Sequence, residues 1–338
     1  MVQDQLLSRS TSLLEELPAE ILQEIFLRCL EINLPRASIY IARALSCPAI
    51  YTWLIRLAFT RYEGGDRSGF FEACHFLPPQ NVVGHLSEQE RMDLRNIILG
   101  CRWCTLPLIR KCQVQFVRHV LHYNSLKFAF DPEDWRHVDG IERRLDDLGS
   151  YNTAADGQPG DSDLVLHASP LKSGPDEKVR FRVAVYFNLG TVHVHSLVND
   201  QIKTRMYCEL PSCDGSYVPE KLLCPPWTES KLEFLQLLST KACLDKDPSC
   251  PRAVRILRQL IRDRDFATFA RLLRFHVRLE CYNGTVRWPT PDVVFRAALK
   301  HARGDDDPFI RLLVEERWDD IRPDDLRLKE KLLTKVRA

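Results

Sequence analysis

Proline-initiated helical segments recur along the chain and constrain its fold more than any other feature. Proline is favoured at the start of a helix, because its missing N–H would have no intrahelical partner there. Ser87 to Glu90 also has the spacing of a helix-starting capping box. The sequence therefore predicts a mainly α-helical protein. Six dipeptides precede segments of helical periodicity: Leu17-Pro18, Cys47-Pro48, Asp131-Pro132, Thr290-Pro291, Asp307-Pro308 and Arg322-Pro323.

One stretch alternates with a period of two residues, which is typical of a β-strand. Its apolar side chains are Val179, Phe181, Val183, Val185 and Phe187. Asn188-Leu189-Gly190 supplies turn residues and Thr191 to His195 alternates again, so we expect a hairpin. A lone hairpin is marginal in water, and Gln201 to Leu210 is the candidate for a further strand. The fold class is thus α+β, mainly α with a small β-hairpin or sheet.

Composition and pattern divide the chain into predicted segments. Glycine, proline, aspartate and serine are frequent before the hairpin, which is typical of a loop or linker. The short helices of the last third of the chain are expected to stack in pairs. The segments are 1–12, a flexible N-terminus; 13–60, a helical module; 61–150, a helical region; 151–178, a flexible linker or insertion; 179–228, the hairpin and a proline-rich connector; and 229–338, a C-terminal helical region.

Bulk properties exclude some classes of function. The 338 residues carry a formal net charge of +1, so no overall attraction to nucleic acid or to anionic membranes is expected. The apolar runs are shorter than the roughly 20 residues that cross a bilayer, and the N-terminal residues lack the pattern of a secretory signal. The twelve cysteines are therefore expected as reduced thiols. A cytoplasmic or nuclear location follows, without a membrane partner.

The segment that begins at Leu17 carries the strongest functional signal. Pro18 is expected to open a helix, with Glu20 near its positive N-terminus. The apolar face of the helix consists of residues at helical spacing: Leu22, Ile25, Phe26, Cys29 and Leu30. The other face carries Glu20, Gln23, Glu24 and Arg28.

Residues 17–26 read Leu-Pro-x-Glu-Ile-Leu-x-x-Ile-Phe, which resembles the opening of the F-box. The resemblance implies a small N-terminal helical bundle, within about residues 17–59, that binds the Skp adaptor subunit of a cullin–RING ubiquitin ligase. The body of helical pairs behind it would recruit a protein substrate that the sequence does not identify. The resemblance assigns the adaptor interface or the bundle core to Leu17, Pro18, Ile21, Leu22, Ile25 and Phe26.

The continuation lacks the Val-Cys-Lys-x-Trp segment that commonly follows the first helix of an F-box. Residues 33–38, 44–46 and 50–54 stand in its place, and this variant resembles a group of F-box-like proteins from filamentous fungi. Residues 101–105, 222–227 and 315–318 are similar to recurring stretches of the same group. The resemblance therefore spans most of the chain, although only its first segment implies a function.

Two patterns contain residue types that bind metals. Cys101-x-x-Cys104 followed by His119-x-x-His122 is close to zinc-finger spacing. However, residues 106–123 also read as one continuous helix, so buried thiols and helix-borne histidines are favoured. His193 and His195 project from one face of a strand, but the sequence offers no third ligand and a polar sheet face is favoured. No metal and no cofactor is predicted.

Residues 251–278 carry eight arginines and two aspartates. An acidic partner, such as a degron, a phosphopeptide or a nucleic acid, could bind such a surface. The favoured interpretation is a solvated face paired with acids elsewhere, for example Asp305-Asp306-Asp307. Arginines at helical spacing form the patch: Arg255, Arg258, Arg262, Arg271, Arg274 and Arg278.

Enzyme signatures are absent from the sequence: it has no phosphate-binding or dinucleotide-binding glycine motif, no His-Glu-x-x-His and no Gly-x-Ser-x-Gly. The leading hypothesis is a non-catalytic adaptor of a Skp–cullin–F-box ubiquitin ligase. One alternative is a helical scaffold for protein interactions with a degenerate box and no ligase role. The other is a nucleic-acid-binding protein that uses residues 251–278, although nucleic acid is not the favoured partner.

Overall fold

Helices dominate the architecture. The computed structural model describes residues 12–63, 76–77, 86–125, 128–139, 164–170, 179–198, 201–282 and 284–337. Within these ranges the helices are α1 (Ala19–Cys29), α2 (Ile39–Leu45), α3 (Pro48–Phe59), α4 (Glu88–Gly100), α5 (Leu106–Ser125), α6 (Pro132–Asp139), α7 (Glu229–Ser239), α8 (Pro251–Asp263), α9 (Phe266–Leu273), α10 (Asp292–His301), α11 (Pro308–Arg317) and α12 (Leu326–Arg337).

The helix starts follow the local signals of the sequence. The Ser87 hydroxyl accepts a hydrogen bond from the Glu90 N–H at 3.2 Å, and the Glu90 carboxylate accepts one from the Ser87 N–H at 2.8 Å. The predicted capping box of α4 is therefore confirmed. Pro323 precedes α12 by a turn. The other five prolines begin a helix or directly precede one: Pro18, Pro48, Pro132, Pro291 and Pro308.

A six-stranded antiparallel sheet forms the β part of the fold. Its strands lie in the order β1-β6-β5-β4-β3-β2. The predicted hairpin is β4 and β5, and the predicted further strand is β6, so these expectations are confirmed. The strands are β1 (Arg61–Glu63), β2 (Phe128–Phe130), β3 (Leu164–Pro170), β4 (Val179–Tyr186), β5 (Thr191–Val198) and β6 (Gln201–Glu209).

One face of this sheet joins the core and the other faces outward. Alternation along each strand separates the two faces. The inward side chains belong to the same apolar cluster as the helices, and they include Leu166, Val183, Val185, Val192 and Val194.

The apolar core is continuous from the N-terminal module to the C-terminal helices. Phe26 of α1 and Leu332 of α12 belong to one buried cluster. Helix α3 joins the module to the body, because it packs against both α4 and α5. Residues 13–60 therefore share a core with the helices that follow.

Three of the predicted segments need correction. Leu164–Pro170 lies within the predicted linker 151–178 but forms β3, which pairs with β4 over five positions. The helical region 61–150 contains the short strands β1 and β2. The C-terminal helical region 229–338 contains a second sheet of β7 (His276–Arg278) and β8 (Thr285–Arg287).

Strands β1 and β2 have three residues each and pair with strands that are distant in sequence, so local periodicity does not reveal them. The predicted flexible residues 1–11, and the parts 151–163 and 171–178 of the predicted linker, lie outside the described residues. Among the residues that are described, no helix combines the length and the apolar character that a membrane span requires.

Candidate functional site

The N-terminal module is held together at the junction before α1. Ser12 caps a short 3-10 turn at Leu13–Glu16, and Leu17 follows in an extended conformation. The Tyr40 hydroxyl at the start of α2 donates a hydrogen bond to the Leu17 carbonyl at 3.1 Å. The starts of α1 and α2 therefore lie side by side.

The middle of α1 is also fixed to α2. The Gln23 side-chain amide donates to the Ala44 carbonyl at 2.9 Å. Leu30 ends α1 in the left-handed region, with a φ of 50°. Ser38 then starts α2 by accepting a hydrogen bond from the Ile41 N–H at 3.2 Å. A cap of this kind satisfies a backbone N–H that has no partner within its own helix.

Helix α1 has two apolar faces with different surroundings. Leu22 and Phe26 are four residues apart and are buried, at 0% and 2% exposure. Ile21 is 42% exposed, Pro18 is exposed and Ile25 is half-buried. One stripe therefore packs into the protein's own core, and the other faces solvent.

This division separates the six residues that the F-box resemblance assigns to the interface or the bundle core. Leu22 and Phe26 are buried in the core. Leu17 and Ile25 are half-buried, and Pro18 and Ile21 are exposed. Cys29, which the sequence places on the apolar face, is exposed.

Exposed apolar side chains are concentrated in the N-terminal module. Among the described residues nine large hydrophobic side chains are exposed, and four of them belong to residues 13–40. Ile39 is the second most exposed of the nine, at 72%. Together with Pro18 they form what we call the N-terminal apolar surface: Leu13, Pro18, Ile21, Ile39 and Tyr40.

Sequence reasoning missed Leu13, Ile39 and Tyr40, although a signal for two of them was present. Ile39, Tyr40 and Ile41 are consecutive at the start of α2. Three successive positions of a helix point in different directions, so they cannot all enter one core. Ile41 is buried, which leaves the other two outside.

Helix α3 attaches the module to the residues that follow it. Tyr51 stacks on Trp103 with ring centroids 4.4 Å apart and an interplanar angle of 8°. The Arg56 guanidinium lies 4.4 Å from the Phe76 ring centroid and donates to the Gln115 side chain at 2.9 Å. Burial lowers the pKa of Arg56, and the nearby Cys112 partly opposes this effect. These contacts attach α3 to Trp103 in the turn before α5 and to Gln115 on α5.

No family model, curated protein or solved structure matches this chain.

The structure does not bring the four candidate zinc ligands together. Cys104 precedes α5, and His119 lies roughly 20 Å further along this helix at 1.5 Å per residue. The Lys221 ammonium donates to the carbonyls of Cys101 and Cys104 at 2.5 and 2.7 Å. Burial raises the pKa of the Cys104 thiol to about 12, whereas a zinc ligand must be a thiolate.

The two histidines among these candidate zinc ligands, His119 and His122, lie in different surroundings. His119 packs on the Phe76 ring at 5.2 Å, and His122 is exposed at the end of α5. The one group of three ligating side chains among the described residues is elsewhere, at Asp131, Asp134 and His167. There the Asp134 carboxylate accepts a hydrogen bond from the backbone N–H of His167 at 2.6 Å. The Nδ1 atom of the His167 ring lies 3.2 Å from the same carboxylate.

His193 and His195 lie on the outward face of the sheet, with ring centroids 6.4 Å apart. His193 meets the Tyr207 ring edge to face at 5.0 Å. Burial lowers the pKa of His195, and the flanking Arg205 and Arg182 lower it further. Two guanidinium groups repel a metal cation, so this pair is a poor start for a metal site.

The arginine patch of residues 251–278 is largely neutralised within the protein. Arg271 pairs with Glu229 at 2.6 Å and Arg274 with Glu316 at 2.6 Å. Arg278 pairs with Asp214 at 3.0 Å, and Arg255 pairs with Glu220. Arg258 and Arg262 lack a carboxylate partner within the described ranges.

The three acids that the sequence offered for this pairing each have a basic partner. Asp305 pairs with Lys335 at 2.7 Å, Asp306 with Arg311 at 3.1 Å and Asp307 with Arg264 at 2.7 Å. Of the three, only Asp307 therefore pairs with an arginine of residues 251–278. The other acidic partners are Asp214, Glu220, Glu229 and Glu316.

Proposed function

We propose that the chain is a non-catalytic adaptor of a Skp–cullin–F-box ubiquitin ligase, and that its N-terminal apolar surface binds the Skp-type subunit. One observation carries the proposal: the F-box-like segment 17–26 forms a helix whose Pro18 and Ile21 remain exposed while Leu22 and Phe26 anchor it. A helix with one apolar stripe in the core and a second apolar stripe outside leaves apolar surface exposed to solvent, where a partner protein can cover it.

The composition of this surface suits a protein partner. Isolated exposed hydrophobic residues are normal on a protein, but neighbouring ones mark interaction sites. The Tyr40–Leu17 hydrogen bond brings Tyr40 beside the residue that precedes Pro18, and Ile39 adjoins Tyr40 in α2. Helix-on-helix docking of this kind derives most of its affinity from a few central apolar anchors.

The remainder of the chain would then position a substrate. Helix α3 belongs to the core of the body as well as to the module. The module is therefore held in a fixed relation to the body, which a substrate-recruiting adaptor requires. This continuity also means that deletion of the module would expose the core.

Point variants test the proposal without that disruption. The full chain is co-expressed with a tagged Skp-type subunit and recovered through the tag. We expect the parent protein and Ile97→Asp to co-purify, and Ile21→Asp/Ile39→Asp to be lost. Ile97 is a matched control, because it is an exposed isoleucine at 48% on α4, outside the module.

Thermal unfolding must show that all three proteins are folded. Equal recovery of the folded double variant and the parent protein would contradict the proposal.

A further inference from the structure

The outward face of the six-stranded sheet carries charge that its surroundings do not neutralise. Arg180 and Arg182 on β4 and Arg205 on β6 are exposed. Within the part of the chain that the structure describes, none of the three has an ion pair or a side-chain hydrogen bond. By contrast, four of the six arginines in the patch of residues 251–278 are paired.

The strand register aligns these charges in a row. Arg182 lies opposite His195, and His195 lies opposite Arg205. Side chains at directly opposed positions of an antiparallel sheet project from the same face. The row therefore crosses three adjacent strands, with the half-buried His195 at its centre.

Within the described residues, the neighbouring acids do not compensate this row. At one end His167 lies opposite Arg182, but the acid there, Asp134, is bound to His167 itself at 3.2 Å. On β6 the carboxylate of Glu209 pairs with Lys241 at 2.8 Å and is buried.

The central histidine has spare hydrogen-bonding capacity. Its Nδ1 is buried and has no hydrogen-bond partner in the described structure. The lowered pKa of His195, caused by burial and by Arg205 and Arg182, agrees with close approach of the two guanidinium groups.

The spacing of Arg180 and Arg182 matches that of alternate residues in an extended peptide. Alternate residues of a strand are separated by roughly 6.8 Å, which is the separation expected between Arg180 and Arg182. Arg205 lies two strands away, at about 10 Å. The guanidinium groups are thus spread out, and separate carboxylates suit them better than a single anion does.

We propose that this surface, the basic sheet face of Arg180, Arg182, His195 and Arg205, binds an extended acidic segment of a partner protein with Asp or Glu at alternate positions. Each arginine fork accommodates one carboxylate bidentately. The rings of Tyr186 and His193, 5.3 Å apart, lie on the same face of the sheet. The N-terminal apolar surface contributes no residue to this face, so the inference goes beyond the proposed function.

Fluorescence anisotropy with a labelled peptide of alternating glutamate and threonine tests the inference on the full chain. We expect the double variant Arg182→Gln/Arg205→Gln to bind about tenfold more weakly than the parent protein, because exposed pairs contribute modestly. Arg258→Gln/Arg262→Gln removes the same charge from α8, where both arginines lack a carboxylate partner in the described chain, and should bind within about twofold of the parent. Equal weakening of the two variants would overturn the inference.

Further probes distinguish the alternating acidic peptide from other ligands of the basic sheet face. A peptide of the same composition with its glutamates in one block should bind about threefold more weakly, and equal binding would overturn the alternate spacing. Tighter binding of single-stranded oligothymidine than of the acidic peptide would assign the face to nucleic acid instead. Undetectable peptide binding would also overturn the inference. The Ile21→Asp/Ile39→Asp variant should bind the peptide like the parent, so failure here is distinct from failure of the proposed function.

Discussion

The Tyr40 hydroxyl donates a hydrogen bond to the Leu17 carbonyl at 3.1 Å across 23 positions of the sequence. This contact joins the start of α2 to the residue that precedes α1. It also places Tyr40 beside the residue that precedes Pro18. Together with the Gln23–Ala44 hydrogen bond, it fixes α1 against α2.

Removal of that bond should weaken the module slightly. Tyr40→Phe keeps the ring and loses one hydrogen bond, for which about 0.5–1.5 kcal/mol of unfolding free energy is expected. Tyr282→Phe is the control, because Tyr282 is exposed and should change stability by less than about 0.5 kcal/mol. Urea unfolding measures both. An unchanged midpoint for Tyr40→Phe would show that the bond does not stabilise the module.

The two faces of α1 should respond differently to truncation. Leu22→Ala removes a fully buried side chain, and we expect it to cost about 2–5 kcal/mol. Ile21→Ala truncates a side chain that is 42% exposed and should cost less than about 1 kcal/mol. Urea unfolding at a single pH compares the two. Equal losses would mean that the assignment of core and surface stripes is wrong.

The buried pair of Lys241 and Glu209 should make stability depend on pH. Burial alone would raise the pKa of Glu209, but Lys241, together with hydrogen bonds from Tyr207 and Ser212, lowers it below its usual value. A carboxyl whose pKa is lower in the folded state stabilises the protein above its unfolded pKa of about 4.3. That stability is lost as the pH falls below about 5 through the folded pKa.

The variant Lys241→Met leaves Glu209 buried without its cation, and we expect a loss of about 3–5 kcal/mol at neutral pH. The loss should shrink as the pH is lowered, because protonation removes the unpaired charge. Lys335→Met breaks a more exposed pair with Asp305 and should cost at most about 1 kcal/mol. Urea midpoints at several pH values measure these effects. A loss for Lys241→Met that stays constant with pH would contradict the account.

The Cys104 thiol of the Cys-x-x-Cys motif should be protected by burial alone. Cys104 is 1% exposed and its pKa is raised to about 12 by burial, so it should react with an alkylating reagent only when the protein opens. The exposed Cys224 and Cys281 should react quickly. Mass spectrometry of partially alkylated protein gives the order. Stoichiometric zinc that disappears in Cys104→Ser would contradict this interpretation.

Local sequence patterns predicted those helices and strands whose signals lie within a few consecutive residues. The capping box at Ser87 and the alternation through β4 and β5 are complete within a few residues, so they could be recognised. Strand β3 could not, since Leu164–Pro170 is short and lies among residues typical of loops. Strand β1 has three residues and pairs with β6, nearly 150 positions away.

Prediction of the candidate site from the sequence was limited in the same way. The sequence identified α1 and its apolar residues, but the direction of each side chain depends on where α2 and α3 pack. Periodicity placed Leu22, Ile25 and Phe26 on one face, whereas packing buries Leu22 and Phe26 and leaves Ile25 half-buried. The basic sheet face was invisible to periodicity, because Arg182 and Arg205 become neighbours of His195 only through the strand register.

The central claim is that the N-terminal apolar surface binds a Skp-type subunit. Isothermal titration of the purified full chain with that subunit tests it most directly. We expect a dissociation constant of about 1 μM or tighter for the parent protein and for Ile97→Asp. Ile21→Asp/Ile39→Asp should weaken binding at least about thirtyfold, because a central anchor contributes about 2 kcal/mol. Absence of binding by the folded parent protein, or unchanged affinity of the folded double variant, would contradict the claim.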